Sequence, residues 1–318
     1  MKNIFKYLKI GISIILMGAL IWIMKDNLYS IGGIIRSANK PLIFLSAILT
    51  VVIMIIQSYR LKFLMNAQNI FLNIKDVTCL TFVGQFFNNF MPTTIGGDVI
   101  KAHYASNVTK KRLETFASVV MDRVLGVVTL MWIAAAVVIF RYKQIPNKMI
   151  IVLIGIIFIL TTLGTILIFN KEFLKRFTFL KMLVRKMKLE DKMRRLYEAA
   201  NKYRHHKSLV CNALLLSLGA QLLSFFMTYL LIISISSKIS FVFLLLTLPL
   251  IYALSMLPSL NGLGIRESGF IYFLGGAIGK ENAFALSLLY LFAMFVISAI
   301  GGIIFLFKRD FKLTEGCA

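Results

Sequence analysis

Long apolar runs separated by short charged or polar turns set the pattern of this chain. A helix that crosses the ~30 Å hydrocarbon layer of a bilayer needs about 20 mostly apolar residues. Five windows meet that requirement, at roughly 41–58, 115–140, 149–169, 209–235 and 283–307. Two shorter windows, roughly 8–24 and 239–257, are bounded by charged or polar turns and are expected to span as well. The first follows Lys2, Lys6 and Lys9 and runs into Lys25-Asp26-Asn27 with no small-x-small cleavage site. It is expected to be an uncleaved first helix with its N-terminus in the cytoplasm.

Two further stretches are apolar but interrupted. In 77–113, the run Val77–Met91 gives way to Pro92-Thr-Thr-Ile-Gly96-Gly97-Asp98 and then a polar helix-like segment. In 258–282, Pro258-Ser-Leu-Asn-Gly262-Leu-Gly264-Ile-Arg266-Glu267 leads into a short apolar run that ends at Lys280-Glu281. Non-helical backbone at membrane depth is tolerated only where protein buries it or where it lines a wet cavity. Seven spans starting inside would leave Lys308, Arg309 and Lys312 outside, against the positive-inside rule. One interrupted stretch is therefore expected to cross, most easily 268–282, giving about eight spans and a cytoplasmic C-terminus.

Composition agrees with the membrane reading. The chain has 318 residues, 59% hydrophobic and 15% charged, with a mean hydropathy of +0.84. Soluble domains run at about 45–50% apolar and about 25% charged. A soluble enzyme, a disordered chain and a disulfide scaffold are excluded. Charge is lopsided, 36 Lys and Arg against 13 Asp and Glu, net +23. With this hydropathy the excess points to an anionic lipid surface and not to nucleic acid. Segment 171–208 carries 13 of the basic residues and four acidic ones, with Phe173, Phe177, Leu180, Val184 and Met187 on one helical face. It reads as a basic amphipathic cytoplasmic helix on anionic headgroups or as a solvated linker helix. Cys79, Cys211 and Cys317, with His103, His205 and His206, have no metal-ligand or disulfide spacing. No metal or cofactor is expected, and no P-loop, HExxH, GxSxG or dinucleotide fingerprint occurs.

The two interruptions match each other. Pro92 and Pro258 lie 166 residues apart, close to half the chain, and each is followed four residues later by a glycine, Gly96 or Gly262. Gly97-Asp98 and Lys101 follow the first; Gly264 and Arg266-Glu267 follow the second. New helices are expected at similar distances, from Glu114 and Glu281. Paired Gly/Pro-interrupted apolar segments in corresponding halves are the best sequence pointer to a transporter's binding site. Proline stops the hydrogen-bonded ladder and glycine opens backbone angles closed to other residues. The broken helix then presents N–H groups and a positive end inward, a site for an anion such as a lipid phosphate. Lys101 or Arg266 would supply countercharge, with Asp98 or Glu267 positioning it. An ordinary loop turn with interfacial charges is the alternative. Asp122-Arg123 sits inside a span, where ionisable side chains face a cavity or a partner. It reads as a structural ion pair, as a pair snorkelling to the interface, or as part of a polar translocation pathway. Asn89, just before Pro92, is a weaker member of the same set.

The ordered motifs Gly84-Gln85-Phe-Phe-Asn-Asn89-Phe-Met-Pro92-Thr-Thr-Ile-Gly96-Gly97-Asp98-Val-Ile-Lys101, Ala117-Ser-Val-Val-Met-Asp122-Arg123 and Pro258-x-x-x-Gly262-Leu-Gly264-Ile-Arg266-Glu267 resemble the flippase-like transmembrane region of lysylphosphatidylglycerol synthases. That resemblance runs from about residue 8 to 307. It implies an all-α polytopic bundle of about eight helices with two re-entrant or broken elements in two pseudo-repeated halves. It also implies a role in moving lipids with charged headgroups. In two-part members a cytoplasmic domain transfers lysine from aminoacyl-tRNA to phosphatidylglycerol. The last span here ends shortly before Ala318, leaving no expected room for that domain, so a phosphatidylglycerol lysyltransferase reading rests on homology alone and an enzyme is not the leading expectation.

One integral membrane domain over 1–318 is expected, with a first half at 1–170 carrying motif 84–123, the basic segment 171–208, and a second half at 209–308 carrying motif 258–267. The leading function is a plasma-membrane translocase for anionic or headgroup-modified, including lysylated, phospholipids. Its partners are membrane phospholipids, a second copy of the chain or a separate lipid-modifying enzyme. The competing readings are a membrane enzyme acting on a lipid or polyprenyl-phosphate substrate, with Asp98 or Glu267 as base or metal ligand, and an accessory protein.

Overall fold

The computed structural model describes residues 24–91, 96–141, 148–169, 201–257 and 262–307, together with Gly18 and Trp22. The first expected span at 8–24, most of the basic segment 171–208, Pro92, Pro258 and the C-terminal basic tail lie essentially outside the described residues. The described residues are 89% helical, and none forms a strand. This is the all-α polytopic membrane architecture that the apolar runs predict.

Helix boundaries follow local chemistry. Helix α1 (Leu28–Ser37) is short. Asn39 caps α2 (Lys40–Asn66) by accepting from the Leu42 N–H, and Pro41 sits in the first turn, where its missing donor costs nothing. Asn73 caps α3 (Ile74–Phe90) by accepting from the Lys75 N–H, with Asp76 favourably placed at the positive helix end. Then come α4 (Gly96–Thr109), α5 (Arg112–Arg141) and α6 (Lys148–Phe169). The second half comprises α7 (Lys207–Ser234), α8 (Phe241–Ser255), α9 (Ile265–Ile278) and α10 (Lys280–Phe307). Helices α2, α5, α7 and α10 are long and apolar enough to cross a membrane, and α6 and α8 supply shorter apolar stretches.

Hydrogen bonds fix the helix directions. The Asn39 N–H donates to Ser234 O at one end of the α2–α7 pair, and Tyr203 Oη donates to Leu64 O at the other. Helices α2 and α7 are therefore antiparallel, and they form the most extensive helix pair in the bundle. Lipid tails are as apolar as leucine, so close packing and buried polar contacts, not expulsion of water, join such helices. Small residues serve that end. A Cβ on Gly301 of α10 would run into the Phe82 carbonyl of α3, and Ala134, Ala213, Ala283 and Ala285 are fully buried.

Interrupted stretch 77–113 becomes the helical hairpin α3–α4. Window 239–257, expected to span, and 268–282, expected to cross, instead form the short helices α8 and α9 of a second hairpin. Each pair is in mutual contact. Their members have 17, 14, 15 and 14 residues, or about 21–26 Å each, short of the hydrocarbon thickness. Asn89, at the tip of α3, donates to Met294 O and Ser298 Oγ, near the midpoint of α10. Tyr252, near the tip of α8, shares hydrogen bonds with Ser224 and Thr228, in the second half of α7. Both hairpins thus end part-way along the spans beside them, the first near the middle of α10 and the second within the later half of α7. The first follows the end of α2 and the second follows the end of α7. Because α2 and α7 are antiparallel, the hairpins enter from opposite ends, an inverted repeat of the kind that builds transporter sites.

Candidate functional site

The first hairpin closes on a pair of glycines. A Cβ on Gly97 would collide with the Gly84 carbonyl, and one on Gly84 would displace the Lys101 side chain, so α3 and α4 meet backbone to backbone. A Cβ on Gly96 would collide with Met91. The Gly97 N–H donates to Asn88 Oδ1 at 2.8 Å, which satisfies one donor of the buried helix start. Asn88 makes this link, whereas Asn89 turns away and ties the hairpin tip to α10.

That close approach positions three charges. Asp98, in the first turn of α4, accepts from Arg123 Nε at 2.6 Å on one carboxylate oxygen. Lys101 Nζ lies 3.2 Å from the other oxygen. Asp98 and Lys101 are buried, but the Arg123 side chain remains 47% exposed. Arg123 lies about 17 Å along α5 from Arg112. The cluster carries net +1 beside the positive end of α4, an arrangement that attracts an anion.

Asp122 belongs elsewhere. Neighbours on a helix point about 100° apart, and Asp122 accepts from Arg60 Nε at 2.6 Å, across from α2. Arg60 Nη1 donates to Ser217 of α7 at 3.0 Å, and Ser217 shares a 2.8 Å hydrogen bond with Thr129 of α5. All four residues are buried, so this ion pair locks α2, α5 and α7 together. Arg60 was obscured in the sequence by its place at the end of an apolar run, where it reads as a flanking interfacial charge.

The second hairpin holds a closed, neutral pair. Gly262 and Gly264 have φ of +78° and +85°, backbone that favours glycine. The Gly264 N–H donates to Glu267 Oε2 at 2.6 Å, and Arg266 Nη2 donates to Glu267 Oε1 at 2.8 Å. The Arg266 guanidinium also sits 5.1 Å from the Tyr290 ring centroid, a cation–π contact. Arg266 Nε has no hydrogen-bond partner among the described residues. Glu267 is fully buried. Asp98 and Glu267 are each engaged within their own hairpin region, and among the described residues no group of three His, Cys, Asp or Glu is placed to hold a metal ion.

One end of the bundle is anchored by Tyr203. Its hydroxyl bonds Leu64 O and Ser118, joining α2 and α5 to the entry of α7. Burial is the largest influence on the phenol and pushes its pKa up to about 12. Lys111 Nζ donates to Asn69 O, and Lys202 pairs with Glu114. These contacts bring the α2–α3 loop, the α4–α5 turn and the end of segment 171–208 to the same end.

The family model described as "Lysylphosphatidylglycerol synthase TM region" matches residues 8–302. A UPF0104 membrane protein of Methanocaldococcus jannaschii is 32% identical over 95 residues, which is 29% of this chain. The match spans only 28% of that relative's length. No solved structure matches.

Proposed function

Because the chain belongs to the lysylphosphatidylglycerol synthase transmembrane-region family, we propose that this multi-pass membrane protein is a lipid translocase whose headgroup site is the tip of the α3–α4 hairpin. The observation that carries the reading is the Asp98–Lys101–Arg123 cluster, net positive, half-open at Arg123 and seated where the hairpin ends midway along α10. Moving a headgroup across hydrocarbon requires polar groups at depth that replace part of its hydration. Lys101 and Arg123 offer donors to a phosphate, and Asp98 holds them in place.

The inverted hairpins support the same reading, since opposed repeats are the usual framework for exposing a site to each side in turn. The second hairpin, with Arg266 held on Glu267, is the closed counterpart of the first. The protein sits in the plasma membrane with its N-terminus and segment 171–208 in the cytoplasm, consistent with the basic content of that segment. Reconstitution into liposomes with a fluorescent phospholipid tests the proposal. Accelerated loss of headgroup protection from a membrane-impermeant quencher is expected. No acceleration for any of several lipid classes would refute it.

A further inference from the structure

The outward faces of α4 and α5 carry a feature that the buried cluster does not explain. On α5 the exposed positions Leu113, Phe116, Val120 and Arg123 follow a 3-4-3 spacing, one continuous stripe. Arg123 thus belongs to a face that is otherwise apolar and open to lipid, and its guanidinium reaches Asp98 from there. Packed against α5, helix α4 has an exposed stripe of its own at Val99, His103 and Asn107, and the last two are hydrogen-bonded to each other at 3.2 Å. The turn that joins the helices and the first residue of α5 bear exposed Lys110, Lys111 and Arg112. Polar groups therefore recur from the basic turn, past His103 and Asn107, to Arg123, on surfaces that hydrocarbon would otherwise cover.

We infer that the α4–α5 seam is an open lateral track along which the phosphate headgroup of a net-negative phospholipid moves from the basic turn to Arg123, while its acyl chains remain in the bilayer. This rests on the translocase reading and narrows it to a substrate class and a route. Charge decides the class. Counting Arg60 and Asp122 with Asp98, Lys101 and Arg123 leaves one positive charge in excess, and the turn adds three more. A phosphodiester of net −1 is attracted at every stage. A lysylated headgroup carries two ammonium groups on the same phosphodiester and meets like charge at both ends of the track. A single unit-charge repulsion at ~6 Å in an effective dielectric of ~20 already outweighs a tenfold preference.

The test uses the full chain in proteoliposomes containing fluorescent phosphatidylglycerol or fluorescent lysylphosphatidylglycerol. Phosphatidylglycerol is expected to move at least about tenfold faster. The double variant His103→Leu/Asn107→Leu, at two exposed positions, is expected to stay monodisperse and slow that movement several-fold, and Arg112→Glu to slow it as well. Millimolar inorganic phosphate leaves the rate unchanged if entry is from the bilayer. Equal or faster movement of the lysylated lipid would overturn the substrate class. Wild-type rates in both the double-leucine and Arg112→Glu variants, or inhibition by free phosphate, would overturn the lateral route. Failure of the unaltered protein to move any lipid would instead refute the translocase reading itself, with both lipids flat.

Discussion

Asp122 and Arg123 are adjacent in sequence yet serve different ion pairs: Asp122 accepts from Arg60 of α2, and Arg123 donates to Asp98 of α4, each at 2.6 Å. One pair is buried among three spans, and the other opens to the bundle surface. This divergence separates scaffold from proposed site within a single helical turn, and it yields opposite expectations for neighbouring substitutions.

Asp122→Ala leaves the Arg60 guanidinium buried without its counter-charge, a loss of about 3–5 kcal/mol. Thermal unfolding in detergent is expected to fall sharply, with aggregation on size exclusion. The paired change Arg60→Met/Asp122→Leu removes both charges together and should recover most of the stability. If the paired variant is as unstable as the single one, the pair is not the lock between α2 and α5.

Gly97→Ala is expected to disrupt the first hairpin, because its Cβ has nowhere to go but into the Gly84 carbonyl, which is backbone and cannot swing aside. Gly84→Ala meets only the Lys101 side chain and should be tolerated better in folding while disturbing the charge cluster. Gly33→Ala, with open space around it, serves as the control. Melting temperatures of the three variants check the order: Gly97 lowest, Gly33 unchanged.

Much of this architecture was legible before the structure. Apolar runs mark α2, α5, α7 and α10, because a bilayer sets their length and composition. Pro92 and Pro258 with their following glycines mark the two breaks, because few other residues end a helix at membrane depth. Which face each charge takes was not legible. Arg60 and Asp122 are 62 residues apart, and only the antiparallel packing of α2 on α5 brings them together. Nor did sequence distinguish the two motifs. Arg266 and Glu267 close on each other as neighbours, whereas Asp98 is shared between Lys101 and Arg123. Asn88 and Asn89 are adjacent, yet about 100° of helix separates their faces, so Asn88 meets Gly97 while Asn89 meets α10.

Tyr203 gives a pH prediction. Its folded pKa of about 12 stands above the ordinary phenol value of 10, so the fold favours the protonated form. That contribution is complete below pH 10 and is lost as pH rises toward and through 12. Tyr203→Phe removes the hydrogen bonds to Leu64 O and Ser118, at about 1 kcal/mol. The melting-temperature gap between wild type and Tyr203→Phe should be constant up to about pH 9 and narrow above pH 10. A gap that widens with pH would contradict the assignment.

Glu267→Gln is expected to destabilise the second hairpin, since it weakens the caps on both Gly264 N–H and Arg266. By contrast, Lys181→Ala and Lys192→Ala, in the segment that the sequence reads as a basic surface helix, should change little, because a basic residue on an anionic surface would gain only about 1 kcal/mol. Expression level and monodispersity separate these outcomes.

The central claim is that the half-open cluster at Asp98, Lys101 and Arg123 moves the headgroup. Arg123→Ala tests it most directly, because Arg123 is the partly exposed member. Transbilayer movement of fluorescent phosphatidylglycerol should be measured in proteoliposomes for wild type, Arg123→Ala and the exposed control Lys75→Ala, each confirmed monodisperse. The account predicts movement in wild type and Lys75→Ala and background rates in Arg123→Ala. A folded Arg123→Ala protein that moves lipid at the wild-type rate would contradict it.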